Sequence, residues 1–202
     1  MGLLNGVSGI DFSYGTSPGQ LRFLNNCTAS LELFGRFHHI DDLIMQTMAP
    51  NDIFQYDLTE FQSGNLRANK DLEATRTSLV LSILSLQLII TRLVFEFSTT
   101  SSNMPIYYDG SIISTNLTTP HCKRLPECGG KTSLNVGMSI TATSIGKNEF
   151  MHLECLDSEC PVFYKYPSED KSTHAVSAYA IIYITFCPDG SEPHILDAPC
   201  II

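Results

Sequence analysis

The 202-residue chain carries 12 Lys and Arg against 21 Asp and Glu, a formal charge of −9, with 43% hydrophobic and only 16% charged residues. Its basic residues nowhere cluster, so it lacks the electrostatic footprint of a nucleic-acid or anionic-membrane binder. The apolar content suffices for one well-filled core, and the low charge with abundant Ser, Thr and Asn favours short strands over amphipathic helices.

In chain order, residues 1–20 are rich in Gly and Ser and read as a loose arm before a single domain over 21–202, with a loop-rich insertion around 114–172. The opening Met1-Gly2-Leu3-Leu4-Asn5-Gly6 has neither the basic start nor the apolar run of a signal peptide. Gly2 meets the myristoylation motif only in part, because Gly6 stands where Ser or Thr is wanted. Leu21 to Thr28, Leu31 to Phe37 and Asp52 to Phe61 alternate apolar with polar residues, the period of strands half buried in a sheet. Between them, His38-His39-Ile40-Asp41-Asp42 has ligand-type side chains but not the spacing of a zinc site, so a charged surface loop explains it as well. The polar, Asn-rich patch from Ser63 to Asp71 reads as a separator before the longest apolar block, Ser78 to Phe97.

That block resembles a membrane span only in length. Ser82, Ser85, Gln87, Thr91, Arg92 and Glu96 interrupt it at intervals a bilayer penalises. Period-two alternation appears twice within it, which predicts two strands split near Ile89 to Thr91. Met104 to Ile113, Ser133 to Thr143, Phe150 to Leu153 and Tyr179 to Phe186 supply further short apolar segments divided by Gly, Pro and Asn. The pattern is that of a mainly β protein. No nucleotide-binding loop or nucleophile elbow occurs, so nucleotide and catalytic-triad chemistries find no support.

Seven cysteines, most of them in the second half, point to an oxidising compartment, as do the glycosylation motifs at Asn26 and Asn116. Secretion is the reading if a leader has been removed; an intracellular protein with reduced thiols is the reading if Met1 is the natural start. Cys155, Cys160 and His152 can also be drawn as a partial zinc site, again without finger spacing.

The segment Cys160-Pro161-Val162-Phe163-Tyr164-Lys165-Tyr166 with Glu169-Asp170-Lys171-Ser172-Thr173, followed by the apolar run ending Phe186-Cys187-Pro188, resembles the closing segment of thaumatin-like proteins. Leu21 to Thr28, with its Asn25-Asn26-Cys27, resembles that family's first strand. Leu93-Val94-Phe95-Glu96-Phe97 and Tyr107-Tyr108-Asp109-Gly110-Ser111 resemble two of its middle strands, in the same order. The resemblance implies an antiparallel β-sandwich with a reduced disulfide-rich loop region. It also implies a Cys27–Cys187 bridge, a Cys128–Cys160 bridge and, with the usual partner of Cys122 missing, Cys122–Cys155, while Cys200 stays spare and available for self-association.

In that family an acidic cleft is associated with β-1,3-glucan binding and antifungal defence. Carried over, its carboxylates fall on Glu96, Asp109 and Glu169 or Asp170; one intermediate aspartate is replaced by Ser114, and the family's arginine has only Arg76 and Arg92 as nearby candidates. Tyr107, Tyr108, Tyr164 and Tyr166 flank these positions and could stack on sugar rings, although aromatic side chains more often pack between sheets. The resemblance thus implies a non-enzymatic polysaccharide-binding or defence protein without cofactor or metal. Two alternatives stay open: a structural, storage or self-assembling protein that kept the sandwich and lost the cleft, and a weak endo-β-1,3-glucanase using Glu96 and Asp109.

Overall fold

The computed structural model describes residues 19–37, 43–58, 62–70, 94–99, 104–113, 119, 121–130, 132, 134, 136–144, 150–169 and 172–191. Eleven strands cover them: β1 Gln20–Asn25, β2 Leu31–Phe37, β3 Leu43–Met48, β4 Ile53–Asp57, β5 Gln62–Lys70, β6 Val94–Thr99, β7 Ile106–Ser111, β8 Met138–Thr143, β9 Phe150–Cys155, β10 His174–Val176 and β11 Ile181–Phe186. They form a five-stranded sheet in the order β4-β1-β11-β8-β9 and a six-stranded sheet in the order β10-β7-β6-β5-β2-β3. A 3₁₀ turn spans Leu125–Cys128.

The alternation that predicted the strands also sorts their faces. In β1 and β11 every second residue is buried, Leu21, Phe23 and Asn25 on one and Ile182, Ile184 and Phe186 on the other. In β6 the inward set is Phe95, Phe97 and Thr99. Phe23 ties the layers together. Its ring stacks on Phe186 of the neighbouring strand at 6.4 Å and meets Phe95 of the other sheet edge-on at 6.3 Å, the arrangement that aromatic quadrupoles favour. One cluster of buried residues draws on both sheets, so each sheet hides its apolar face against the other.

β1 and β11 run parallel, in register from Gln20 opposite Ile181 to Asn25 opposite Phe186, while the other pairings are antiparallel. The first and last described strands are therefore neighbours, and just past their ends Cys27 is bonded to Cys187. The Asn26 side-chain amide donates to the carbonyls of Cys187 (2.8 Å) and Pro188 (3.3 Å), which reinforces the same junction. Asn25, wholly buried, clips the sheets at this end: its amide donates to the carbonyls of Met48 at 2.9 Å and Ala29 at 3.0 Å, and its side-chain oxygen accepts from Cys27 N–H at 3.0 Å.

Several expectations need correction. The Asn-rich patch taken for a separator is β5, which pairs on both sides, with β2 and with β6. A strand flanked on both sides has its whole ladder satisfied, and that overrides the weak strand propensity of Asn and Gly. β3 and the three-residue β10 had no strong signal in sequence; both are edge strands recruited by a longer neighbour. Within the span 114–172, the segments expected at Ser133 to Thr143 and Phe150 to Leu153 contribute β8 and β9 to the five-stranded sheet.

The expected Cys128–Cys160 and Cys122–Cys155 bridges are replaced by two local ones, Cys122–Cys128 and Cys155–Cys160, six and five residues apart. The 3₁₀ turn curls Cys128 back toward Cys122, and the Leu156–Glu159 turn returns Cys160 to the end of β9, so each thiol meets its near neighbour first. With both sulfurs of Cys155 and Cys160 consumed, the drawn zinc site with His152 is not available. The arm over 1–18, His38 to Asp42, the first strand expected in Ser78 to Phe97, Arg76, Arg92, Ser114, Asn116, Asp170 and Cys200 lie outside the described residues.

A carboxyl pair on the open face of the six-stranded sheet

β6 and β7 are adjacent inside the six-stranded sheet, and their register places Glu96 directly opposite Asp109. The pleat turns Phe95, Phe97, Ile106 and Tyr108 to the core, which forces Glu96 and Asp109 to the outer face on neighbouring strands. Residues so opposed have Cβ atoms about 4.5–5.5 Å apart, a spacing at which two bare carboxylates repel. Here a proton joins them. Asp109 is pushed up to about 7 by burial first, then by the charge of Glu96 and the hydrogen bond between the two side chains. Glu96 is also raised by burial, an effect its hydrogen bond with Asp109 opposes.

Glu96 keeps a larger share of its surface in water than Asp109 does, so Asp109 is the group that holds the proton and Glu96 the one that accepts the bond. The other Asp109 oxygen, Oδ1, is buried with no hydrogen-bond partner among the described residues. Below neutrality the pair offers one negative charge, one committed donor and several free acceptor positions.

One edge of this site is built by the segment after Cys160. Tyr164 forms a parallel bridge to Ser111; its N–H donates to Gly110 O at 2.9 Å, and its carbonyl accepts from Ile112 N–H at 2.8 Å. Phe163 fills the inner side at Gly110, where a Cβ would lie 2.6 Å from the ring, so only glycine permits this approach. The Tyr164 hydroxyl is hydrogen-bonded to the Thr173 hydroxyl. Thr173 immediately precedes His174, which pairs with Tyr108, so it stands level with Asp109 on the neighbouring strand. On the other side, Asn65 of β5 is in register with Glu96.

The remaining expected site residues divide. Tyr107 is 43% exposed on the outer face beside the pair, opposite Ser98 of β6. Tyr164 and Tyr166 are half-buried. Tyr108, expected as a sugar-stacking residue, is 1% exposed and faces the core, where its ring packs 5.8 Å from His174. Consecutive strand residues point to opposite faces, so Tyr107 and Tyr108 could never both have met a ligand. Burial also holds the Tyr108 hydroxyl up at about 12 and the His174 imidazole below its ordinary value.

Glu169 is spent on its own turn, its carboxylate accepting from Lys165 N–H at 2.8 Å. Asn26, expected as a glycosylation site, donates its amide nitrogen to the two carbonyls at the Cys187 junction. What sequence reasoning missed is the Tyr164–Thr173 hydroxyl pair: the two sit nine residues apart, and only the return of the chain along the β7 edge joins them. Among the described residues no group of His, Cys, Asp and Glu is arranged to hold a metal ion, and no helix is long and apolar enough to cross a membrane.

No family model and no curated protein matches the chain. Among solved structures it is similar to the protein elicitor MoHrip2 from Magnaporthe oryzae, at 13% identity and TM-score 0.49 over 84% of this chain and 98% of that one. It is also similar to the thaumatin-like xylanase inhibitor TLXI, at 14% identity and TM-score 0.49 over 83% of this chain and 99% of that one. The two-layered sheet and the bridge between its first and last described strands are those that the thaumatin-like motifs of the sequence imply.

Proposed function

We propose that this protein is a non-enzymatic binding module of the defence type, and that it takes a polysaccharide of the β-1,3-glucan class on the outer face of its six-stranded sheet. The observation that carries the reading is the proton-sharing Glu96–Asp109 pair, placed opposite one another beside exposed Tyr107 and the Tyr164–Thr173 hydroxyls. A sugar chain presents hydroxyls that both donate and accept, and apolar ring faces that stack on tyrosine. The carboxyl pair, its one proton held between the two side chains, offers acceptor oxygens, and the Tyr164–Thr173 hydroxyl pair keeps one O–H to donate.

The same spacing argues for binding over hydrolysis. A glycosidase needs its two carboxyl groups about 5 to 9.5 Å apart, flanking the scissile bond. Glu96 and Asp109 instead hydrogen-bond to each other, leaving no room between them for a glycosidic oxygen or a water. The described disulfides favour an oxidising, extracellular setting.

The test is retention on insoluble β-1,3-glucan, with xylan and chitin as controls and reducing-sugar release measured in parallel. The wild-type chain is retained without releasing sugar, and the variant combining Glu96→Gln with Asp109→Asn elutes early. Retention unchanged in that variant removes the site; sugar release lost in it restores the glucanase reading.

A further inference from the structure

β9 is the outermost strand of the five-stranded sheet, and among the described residues no strand pairs with its far side. Free edges in soluble proteins are ordinarily guarded by Lys, Pro or a bulge. Phe150-Met151-His152-Leu153-Glu154-Cys155 has neither Lys nor Pro, and its pairing with β8 runs without a shift in register. Phe150 is 70% exposed, Met151 43%, and Leu156, one residue beyond the strand, 42%. This is a regular edge with apolar side chains at both ends.

We propose that a second copy of this chain adds to the β9 edge, antiparallel and centred on Leu153, so that the two five-stranded sheets become one continuous ten-stranded sheet. The choice of a second copy rests on how the outer-face residues match under that two-fold. Phe150 falls opposite Leu156 of the second copy, His152 opposite its Glu154, Glu154 opposite its His152, and Leu156 opposite its Phe150. Apolar meets apolar at the two ends, and cation-forming meets anionic in the middle, on both strands at once.

His152 is fixed within this row: its Nδ1 is bound to the Thr141 hydroxyl of β8 at 2.8 Å, and Nε2 lies 3.8 Å from Glu154 Oε2 on the same outer face. Directly opposed pairs of opposite charge and of apolar side chains are the ones that stabilise a sheet, whereas like charges opposite one another weaken it. An isologous interface requires this self-complementarity, and a strand that merely tolerated a foreign peptide would not need it.

The experiment is sedimentation velocity of the intact chain, with disulfides in place, over a concentration series reaching about 100 µM, a range in which a small edge interface assembles. Wild type shifts from monomer to dimer as concentration rises. His152→Glu sets two carboxylates against each other at both central positions and shifts the midpoint to at least tenfold higher concentration. The charge swap combining His152→Glu with Glu154→His returns the midpoint to within about threefold of wild type, which neither misfolding nor unspecific stickiness reproduces. A chain that is monomeric throughout overturns the proposal. So does a dimer indifferent to His152→Glu, or one that disappears in Cys200→Ser.

Discussion

Replacing Asp109 by Asn tests the carboxyl pair through stability, independently of any ligand. The folded Asp109 carboxyl sits at about 7 against an ordinary 3.8, so between roughly pH 4 and 7 the folded chain holds a proton that the unfolded chain has released. Stability from this group therefore falls as pH rises through that window and stays low above it, the reverse of an aspartate in a salt bridge. A rise of about 3 pKa units corresponds to a ceiling of about 4 kcal/mol at 1.36 kcal/mol per unit. Water at the Glu96 side screens the pair and reduces this to about 1–2 kcal/mol.

Asn has nearly the same shape, donates to Glu96 through its amide and cannot ionise, so it mimics the protonated acid at every pH. Thermal unfolding by circular dichroism from pH 3.5 to 8.5 should give nearly equal midpoints near pH 3.5, where the carboxyl is protonated in both folded and unfolded chains. Above pH 7.5 the variant should be higher by roughly 2–8 °C, from about 2–4 °C per kcal/mol in a domain of this size. The informative quantity is the difference between variant and wild type, because every other carboxylate cancels in it. A difference that stays flat across the range would show that the two side chains share no proton, and the electrostatic account of the site would go with it.

Three further outcomes follow from the packing. Gly110→Ala drives a methyl to 2.6 Å from the Phe163 ring and should cost about 2–3 kcal/mol in urea unfolding, part of it regained when Phe163→Leu is added. Cys27→Ser opens a bridge between residues 160 apart; chain-entropy reasoning puts the loss at about 5 kcal/mol, a drop in thermal midpoint that neither local bridge should match when removed. Asn25→Ala leaves the carbonyls of Met48 and Ala29 and the N–H of Cys27 without their side-chain partner in a buried site, and should cost about 2–4 kcal/mol by the same urea measurement.

Local pattern carried much of this far. Alternation in Leu31 to Phe37 and Leu93 to Phe97, and the short apolar segments Met104 to Ile113 and Tyr179 to Phe186 bounded by Gly, Pro and Asn, locate strands. The resemblance of Asn25-Asn26-Cys27 and Phe186-Cys187-Pro188 to thaumatin-like motifs implied the bridge between first and last described strands, and Cys27 is bonded to Cys187.

Other features depend on which segments become neighbours, and period says nothing about that. The polar stretch Gln62–Lys70 becomes an interior strand only because β2 and β6 flank it, and its backbone, not its side chains, supplies the reason. Register set Glu96 against Asp109 and so turned two ordinary carboxylic acids into a proton-sharing pair; a slip of one residue would have faced Glu96 with Tyr108 or Gly110 instead. Cysteine partners depend on two short turns that set Cys122 beside Cys128 and Cys155 beside Cys160. Composition and periodicity are properties of the chain alone, whereas pairing is a contest among segments, settled by burial and by the hydrogen bonds each arrangement can complete.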